Sequence, residues 1–298
     1  MIKKFITSNP IHRRIVPFLD WIMLLRPERM LSIWVLICIG MYLSSIVDKS
    51  VSINSTAYNI DTVIFFIGVT ITMSAIFIFQ NIIRFSSADN IISPFNVTNI
   101  LEHSKAVLLS DMLAIIGILI VCYFSIISSF QLAIIVLLNR YIIKDYKVFY
   151  LSRKYTSLIL NILISIMLIK VGFHYGSFDS LSLRIIHMLN ASLYIIPFIF
   201  GCISICIFIN VAEFGSINPI KMYFLSTVLC FISFVIGLML NEPLSCVCAL
   251  TIFPFYLFAV LRAESRDVIR SIRYPILILN FYMLTIYPLL FFPLVFTY

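Results

Sequence analysis

From Phe79 to Val97 the chain reads FQNIIRFSSADNIISPFNV, and its chemistry changes within a few residues. A hydrophobic run from Val63 to Phe79 gives way to Asn81, Arg84, Ser86, Ser87, Asp89, Asn90 and Ser93. Polar groups near membrane depth are costly unless they line a cavity or pair with one another, so this cluster reads as the mouth of a site. A second stretch, RYIIKDYKVFYLSRKY over 140–155, brings Arg140, Lys144, Lys147, Arg153 and Lys154 together with four tyrosines. Arg and Lys make charge-assisted bonds to phosphate oxygens and Tyr hydroxyls add donors, which suits a phosphate-binding wall. The same residues also suit a positive-inside loop whose aromatics sit in the interfacial belt. At this point both readings stand. Glu213, in the third polar stretch over 210–221, is a helix-end acid or a site carboxylate.

The elements that carry these stretches follow from composition. The 298 residues are 62% hydrophobic and 11% charged, with a mean hydropathy of +1.09. A soluble domain has about half its residues apolar and about a quarter charged, so the chain is an integral membrane protein. Apolar runs near 20 residues recur from Leu31 onward, each able to cross roughly 30 Å of hydrocarbon. Lipid offers no partners to backbone N–H and C=O groups, and the alternation of a β-barrel is absent, so the runs are helices. The expectation is an all-α, polytopic bundle of about nine transmembrane helices. It forms a single membrane domain over 1–298, with a basic N-terminal segment over 1–30.

The spans are expected near 31–47, 62–80, 106–123, 124–143, 156–174, 188–209, 219–240, 244–261 and 274–296. Tyr123 to Gln131 offers only a short polar break between the third and the fourth. Nine spans with the N-terminus in the cytoplasm put all but three of the 21 Lys and Arg residues on the cytoplasmic side. The exceptions are Lys49, Lys170 and Arg184, and an asymmetry of that size supports both the count and the orientation. The polar stretches near 81–105, 140–155 and 210–221 then lie together at cytoplasmic helix ends.

Several function classes recede. The net charge of +8 belongs to cytoplasmic loops facing a lipid bilayer and does not point to nucleic acid. The seven cysteines are odd in number, fall almost entirely in apolar runs and have no metal-ligand spacing with His, so they read as small core hydrophobes. Met1 to Ile15 lacks an apolar h-region, so no cleavable signal peptide is expected. No Walker-type glycine loop is present, and no inverted repeat of broken helices stands out, which argues against a transporter.

With these residues in place, the chain resembles the UbiA superfamily of intramembrane prenyltransferases. Leu25-Arg26-Pro27 leads into the first span as the LRP element does there. Asn81 to Val97 falls where the family carries NDxxDxxxD followed by xxNxPxRP: Asn81 matches the opening Asn, Asp89 the last Asp, and Pro94 the Pro. Tyr150-Leu-Ser-Arg-Lys154 fits its YxxxK element after helix four. The resemblance implies a nine-helix bundle that transfers a prenyl group from a polyprenyl (di)phosphate to a small acceptor at the cytoplasmic face, with Mg²⁺. It implies catalytic roles for Asp89, Tyr150 and Lys154, diphosphate contacts for Asn81, Arg84, Arg26 and Arg153, and metal ligation by Asp89 and Glu213. It also implies a bacterial inner-membrane location and a set of aromatics lining an isoprenoid tunnel.

The chain departs from the family pattern at Ile82 and Phe85, which stand where the first two aspartates belong. After helix six, Asn210-Val-Ala-Glu213 replaces DxxxD and leaves a single acid. Two alternatives follow from these departures. One is phosphoribosyl transfer to a polyprenyl phosphate, as in a branch that lacks a typical second Asp motif. The other is a catalytically decayed relative that binds lipid or a partner.

Overall fold

The computed structural model describes residues 27–47, 60–86, 103–144, 153–176, 181–214 and 218–263. Among them are eight helices: α1 (Pro27–Val47), α2 (Ile60–Ser86), α3 (His103–Phe124), α4 (Ile126–Lys144), α5 (Arg153–Gly176), α6 (Leu181–Phe214), α7 (Pro219–Met239) and α8 (Pro243–Leu261). Six of these described helices are long and apolar enough to cross a bilayer, and α1 and α4 contain shorter apolar stretches. The chain is thus an all-helical integral membrane protein. The ninth span expected near 274–296 lies outside the described residues.

Several boundaries move relative to the hydropathy reading. Helix α2 continues through Ser86 rather than stopping near residue 80. Ile82, Ile83 and Phe85 carry the helix through the polar residues, and no Gly or Pro interrupts it before Pro94. Of the stretch 140–155, α4 holds Arg140 to Lys144 and α5 holds Arg153 to Tyr155, while 145–152 lie outside the described residues. Helix α5 runs on to Gly176, two residues past the span expected near 156–174. Between α3 and α4 the break is one residue, Ser125, whose hydroxyl accepts from the Ser128 amide at 3.3 Å.

Lipid tails are as apolar as leucine, so close packing and interhelical hydrogen bonds hold such a bundle together more than any hydrophobic drive between helices. Helices α1 and α5 touch backbone to backbone. A Cβ at Gly40 would overlap the Ile169 carbonyl, and one at Gly172 would overlap the Ile37 carbonyl. Helices α2 and α3 meet the same way, with Gly117 against Thr72 and the Gly68 carbonyl. The α6–α8 group relies on small polar groups. Ser204 donates to the Ser226 carbonyl at 2.8 Å, and Ser233 donates to the Pro197 carbonyl at 2.7 Å inside α6. Phe208 sits 5.4 Å from Tyr223 and 5.0 Å from Tyr256, filling the centre of that group. The window spanning α2 is 61% buried and that spanning α3 only 22%. So α2 is an interior helix and α3 forms the rim.

Contacts between helix ends fix which ends share a side. At one end, the Thr62 and Tyr175 hydroxyls meet at 3.0 Å, Tyr175 stacks on Phe65 at 3.9 Å, and Ser128 donates to the Val171 carbonyl at 3.0 Å. This distal end joins the start of α2, the start of α4 and the end of α5. At the opposite, proximal end, Ser110 donates to the Ala75 carbonyl at 2.8 Å, and Leu158 packs on the cluster holding Val211, Tyr223 and Ala263. Met30 shares a buried cluster with Ile76, Val136 and Leu160. The starts of α1, α3, α5 and α7 and the ends of α2, α4, α6 and α8 therefore lie together.

Candidate functional site

The proximal end gathers the expected positions from three helices. Asn81 and Arg84 lie in the last turns of α2, Arg153 and Lys154 open α5, and Glu213 is the next-to-last residue of α6. Eleven residues make about three helical turns, so position 81 shares a face of α2 with Thr70. That face meets α1, because the Trp34 indole N–H donates to the Thr70 hydroxyl at 2.9 Å. Helix α5 packs on α1, α4 and α6, which brings the start of α5 beside the end of α6. Arg26, Asp89 and Tyr150 lie outside the described residues, as do the side chains at 81, 84, 153, 154 and 213.

Around these positions the bundle buries three carboxamides: Gln80 at 6% exposure, Asn139 at 0% and Asn210 at 3%. Asn210 stands one turn before Glu213 on α6. In Asn139 neither the side-chain nitrogen nor the oxygen has a hydrogen-bond partner. Leaving a buried polar group unpaired costs about 1–3 kcal/mol.

Arg140 differs from the sequence expectation. Its guanidinium forms an ion pair with Asp111 of α3, donates to the Ser110 hydroxyl at 3.0 Å and lies 4.4 Å over the Phe79 ring. It belongs to a neutralised cluster between α2, α3 and α4, so it does not stand as a free cation in a phosphate-binding wall. Sequence reasoning missed Asp111. The available signal was an acid inside an apolar run, which calls for a named partner. On α2, residues 75 and 79 are about 120–160° around the helix from position 81, so this cluster faces away from the Asn81 side.

Among the described residues, no group of three or more His, Cys, Asp or Glu comes together as a metal site. The seven cysteines are free thiols. Cys202 and Cys230 are buried as expected, but Cys122 is exposed near the end of α3 and is not a core residue.

No protein-family model matches the sequence, and no curated protein matches it. The structure is similar to a solved digeranylgeranylglyceryl phosphate synthase, described as acting in membranes, with a TM-score of 0.56 at 13% identity. The likeness covers 91% of this chain and 96% of the other. The fold is UbiA-like. At that identity it is the helical arrangement that is shared, and the chemistry of the candidate site rests on its own residues.

Proposed function

We propose that the chain is a UbiA-like membrane transferase that moves a prenyl group from a polyprenyl (di)phosphate to a small acceptor. The observation that carries this reading is the structural likeness over nearly the whole chain, supported by the placing of the end of α2, the end of α6 and the start of α5 at one end of the bundle. In this reading Arg84, Arg153, Lys154 and Arg26 bind the diphosphate and offset its charge, while Tyr150 donates a hydrogen bond to it. Asn81 orients the same group from α2. Loss of the diphosphate leaves an allylic cation, which the acceptor captures, and donors fixed around the departing group stabilise the charge that develops on it.

Asp89 and Glu213 would hold Mg²⁺ against the diphosphate, since hard cations take carboxylate oxygens and bridge to phosphate. The ion would supply charge neutralisation of the leaving group. Their side chains lie outside the described residues, and the described residues add no second acid cluster. In this reading the site opens to the cytoplasm, with the N-terminus on that side of a bacterial inner membrane, an orientation that the charge asymmetry of the loops supports.

Purified protein incubated with labelled isoprenyl diphosphates, Mg²⁺ and a panel of aromatic, glycerol-phosphate and sugar-phosphate acceptors tests the reading. A Mg²⁺-dependent labelled product is expected, and its absence across the panel counts against prenyl transfer. A second reading has its own observation, the replacement of two family aspartates by Ile82 and Phe85. There the chain binds a polyprenyl lipid or a partner without turnover, and lipid binding that persists in EDTA with no product distinguishes it.

A further inference from the structure

Helix α5 turns one side to lipid and the other to the bundle. Ile159, Leu163 and Lys170 are exposed and form its outer row. At 3.6 residues per turn, Asn161 lies about 160–180° around the helix from each of them. It lies within about 20° of Leu168 and Gly172, which α1 covers: Leu168 is buried, and a Cβ on Gly172 would overlap the Ile37 carbonyl. Asn161 therefore faces the inside of the bundle. It is nevertheless half-exposed, so α1 seals this face of α5 at its distal half and leaves it open toward the proximal end. The Ser165 hydroxyl donates to the Asn161 backbone carbonyl at 2.9 Å, while the carboxamide has no partner among the described residues. An inward-facing polar group in a membrane bundle is costly unless it lines a cavity or binds something.

The neighbouring helix fixes its depth. Ser165 Oγ lies 3.7 Å from Cys206 Sγ of α6, and the two helices run in opposite directions. Four residues toward the proximal end, about 6 Å along each axis, Asn161 stands level with buried Asn210. Glu213 is three residues nearer the mouth on α6, and Lys154 is seven residues nearer on α5. The charged positions of the proposed site thus ring its mouth, and carboxamides stand inward of them. From Met30 to Ser44 of α1 and from Leu193 to Val211 of α6, no residue is charged.

We infer that Asn161 is a specificity-determining residue whose carboxamide holds a hydroxyl of the acceptor, inward of the diphosphate. This rests on the reading of the chain as a prenyl transferase. In that reading the isoprenyl diphosphate has its charge at the mouth, and its hydrocarbon chain carries no hydrogen-bonding group. The polar group that reaches Asn161 therefore belongs to the acceptor. A carboxamide presents N–H and C=O side by side, and a hydroxyl both donates and accepts, so each can satisfy the other. A carboxylate or phosphate at this depth gives up its hydration without meeting a cation, a cost that a neutral hydroxyl escapes.

Two measurements on the full chain test this. In the first, Asn161→Cys and Leu163→Cys are treated in proteoliposomes with a small cationic methanethiosulfonate, and labelling is read peptide by peptide by mass spectrometry. Asn161→Cys is expected to label at least about tenfold faster, because the reactive thiolate forms in water and not in hydrocarbon. In the second, each acceptor that gives labelled prenyl product is compared with its O-methyl ether. Asn161→Leu is expected to raise the KM of the hydroxyl acceptor about three- to tenfold, the scale of one neutral hydrogen bond. It should bring that KM to the level of the ether and leave the KM of the isoprenyl diphosphate unchanged, a split that a merely structural role would not give. Equal labelling at the two positions overturns the inference, as does an acceptor KM that stays put or moves together with that of the diphosphate. No product from wild type with any acceptor sinks the prenyl reading and this inference with it. Product from wild type alongside either failure at position 161 sinks this inference alone.

Discussion

The two ends of the bundle use their polar residues differently. At the distal end they close the fold. The Thr62 and Tyr175 hydroxyls satisfy each other, Ser128 pins α4 to the Val171 carbonyl, and buried Glu242 caps α8 by accepting from the Ser245 amide at 2.7 Å. The Tyr42 hydroxyl also reaches the Glu242 carboxylate, leaving only Oε1 without a partner. At the proximal end, Asn139 keeps both amide atoms unpaired and an ion pair stands on the rim, while five positions of the proposed site sit on helix ends at the same end of the bundle. Buried atoms without a partner occur at both ends, Ser44 Oγ, Gln131 Oε1 and Glu242 Oε1 at the distal one, and Tyr256 Oη with the two Asn139 amide atoms at the proximal one. What sets the ends apart is that the distal hydrogen bonds join helix to helix, while the proximal end carries the ion pair and the charged positions of the proposed site.

This contrast can be broken by experiment. The largest effect is expected at the proximal end: Asp89→Ala and Lys154→Ala should each lower prenyl transfer by at least about two orders of magnitude, the scale of losing one preorganised electrostatic partner. Full activity in both variants would mean that the site lies elsewhere. Next come the backbone contacts that hold the two ends in register. Gly172→Ala and Gly40→Ala force a Cβ into a neighbouring carbonyl, and each should lower stability by about 1–3 kcal/mol in a detergent thermal-shift assay. Gly201→Ala is the control, since the nearest atom to its added Cβ is the Ser233 hydroxyl at 3.5 Å, and it should melt close to wild type.

Removing the distal cap with Glu242→Ala should cost about 1–2 kcal/mol of stability and leave transfer per folded molecule unchanged. The smallest effect belongs to Tyr175→Phe, which deletes one interhelical hydrogen bond worth about 0.6 kcal/mol. A large loss of activity in either distal variant would erase the distinction between the ends.

Much of the architecture was legible before any coordinates. Long apolar runs and the absence of strand alternation led to a helical membrane bundle, and the expected spans overlie all eight described helices. The narrow join near Tyr123 to Gln131 proved to be a corner at Ser125. Helix ends were less legible, because hydropathy falls off where polarity begins while a helix continues until its backbone is broken. Asn81 to Ser86 are polar in part and helical throughout. Of the expected site, only the helices that carry Asn81, Arg84, Arg153, Lys154 and Glu213 are described, and the sequence had placed those positions at helix ends. The two readings of Arg140 could not be separated from sequence because its charge partner is on another helix, and no local pattern links Asp111 to it.

The amino-acid sequence by itself determined that this protein is helical and crosses a membrane. Those properties add up residue by residue from hydropathy and charge. The tertiary structure decided that Gly40 and Gly172 are the crossing point of α1 and α5, that Asn139 is buried without partners, and that Asp111 neutralises Arg140. It also decided that the start of α5 packs beside the end of α6. Each of these depends on which helix lies beside which, and a neighbour across the bundle is a property of packing that no stretch of a single helix contains.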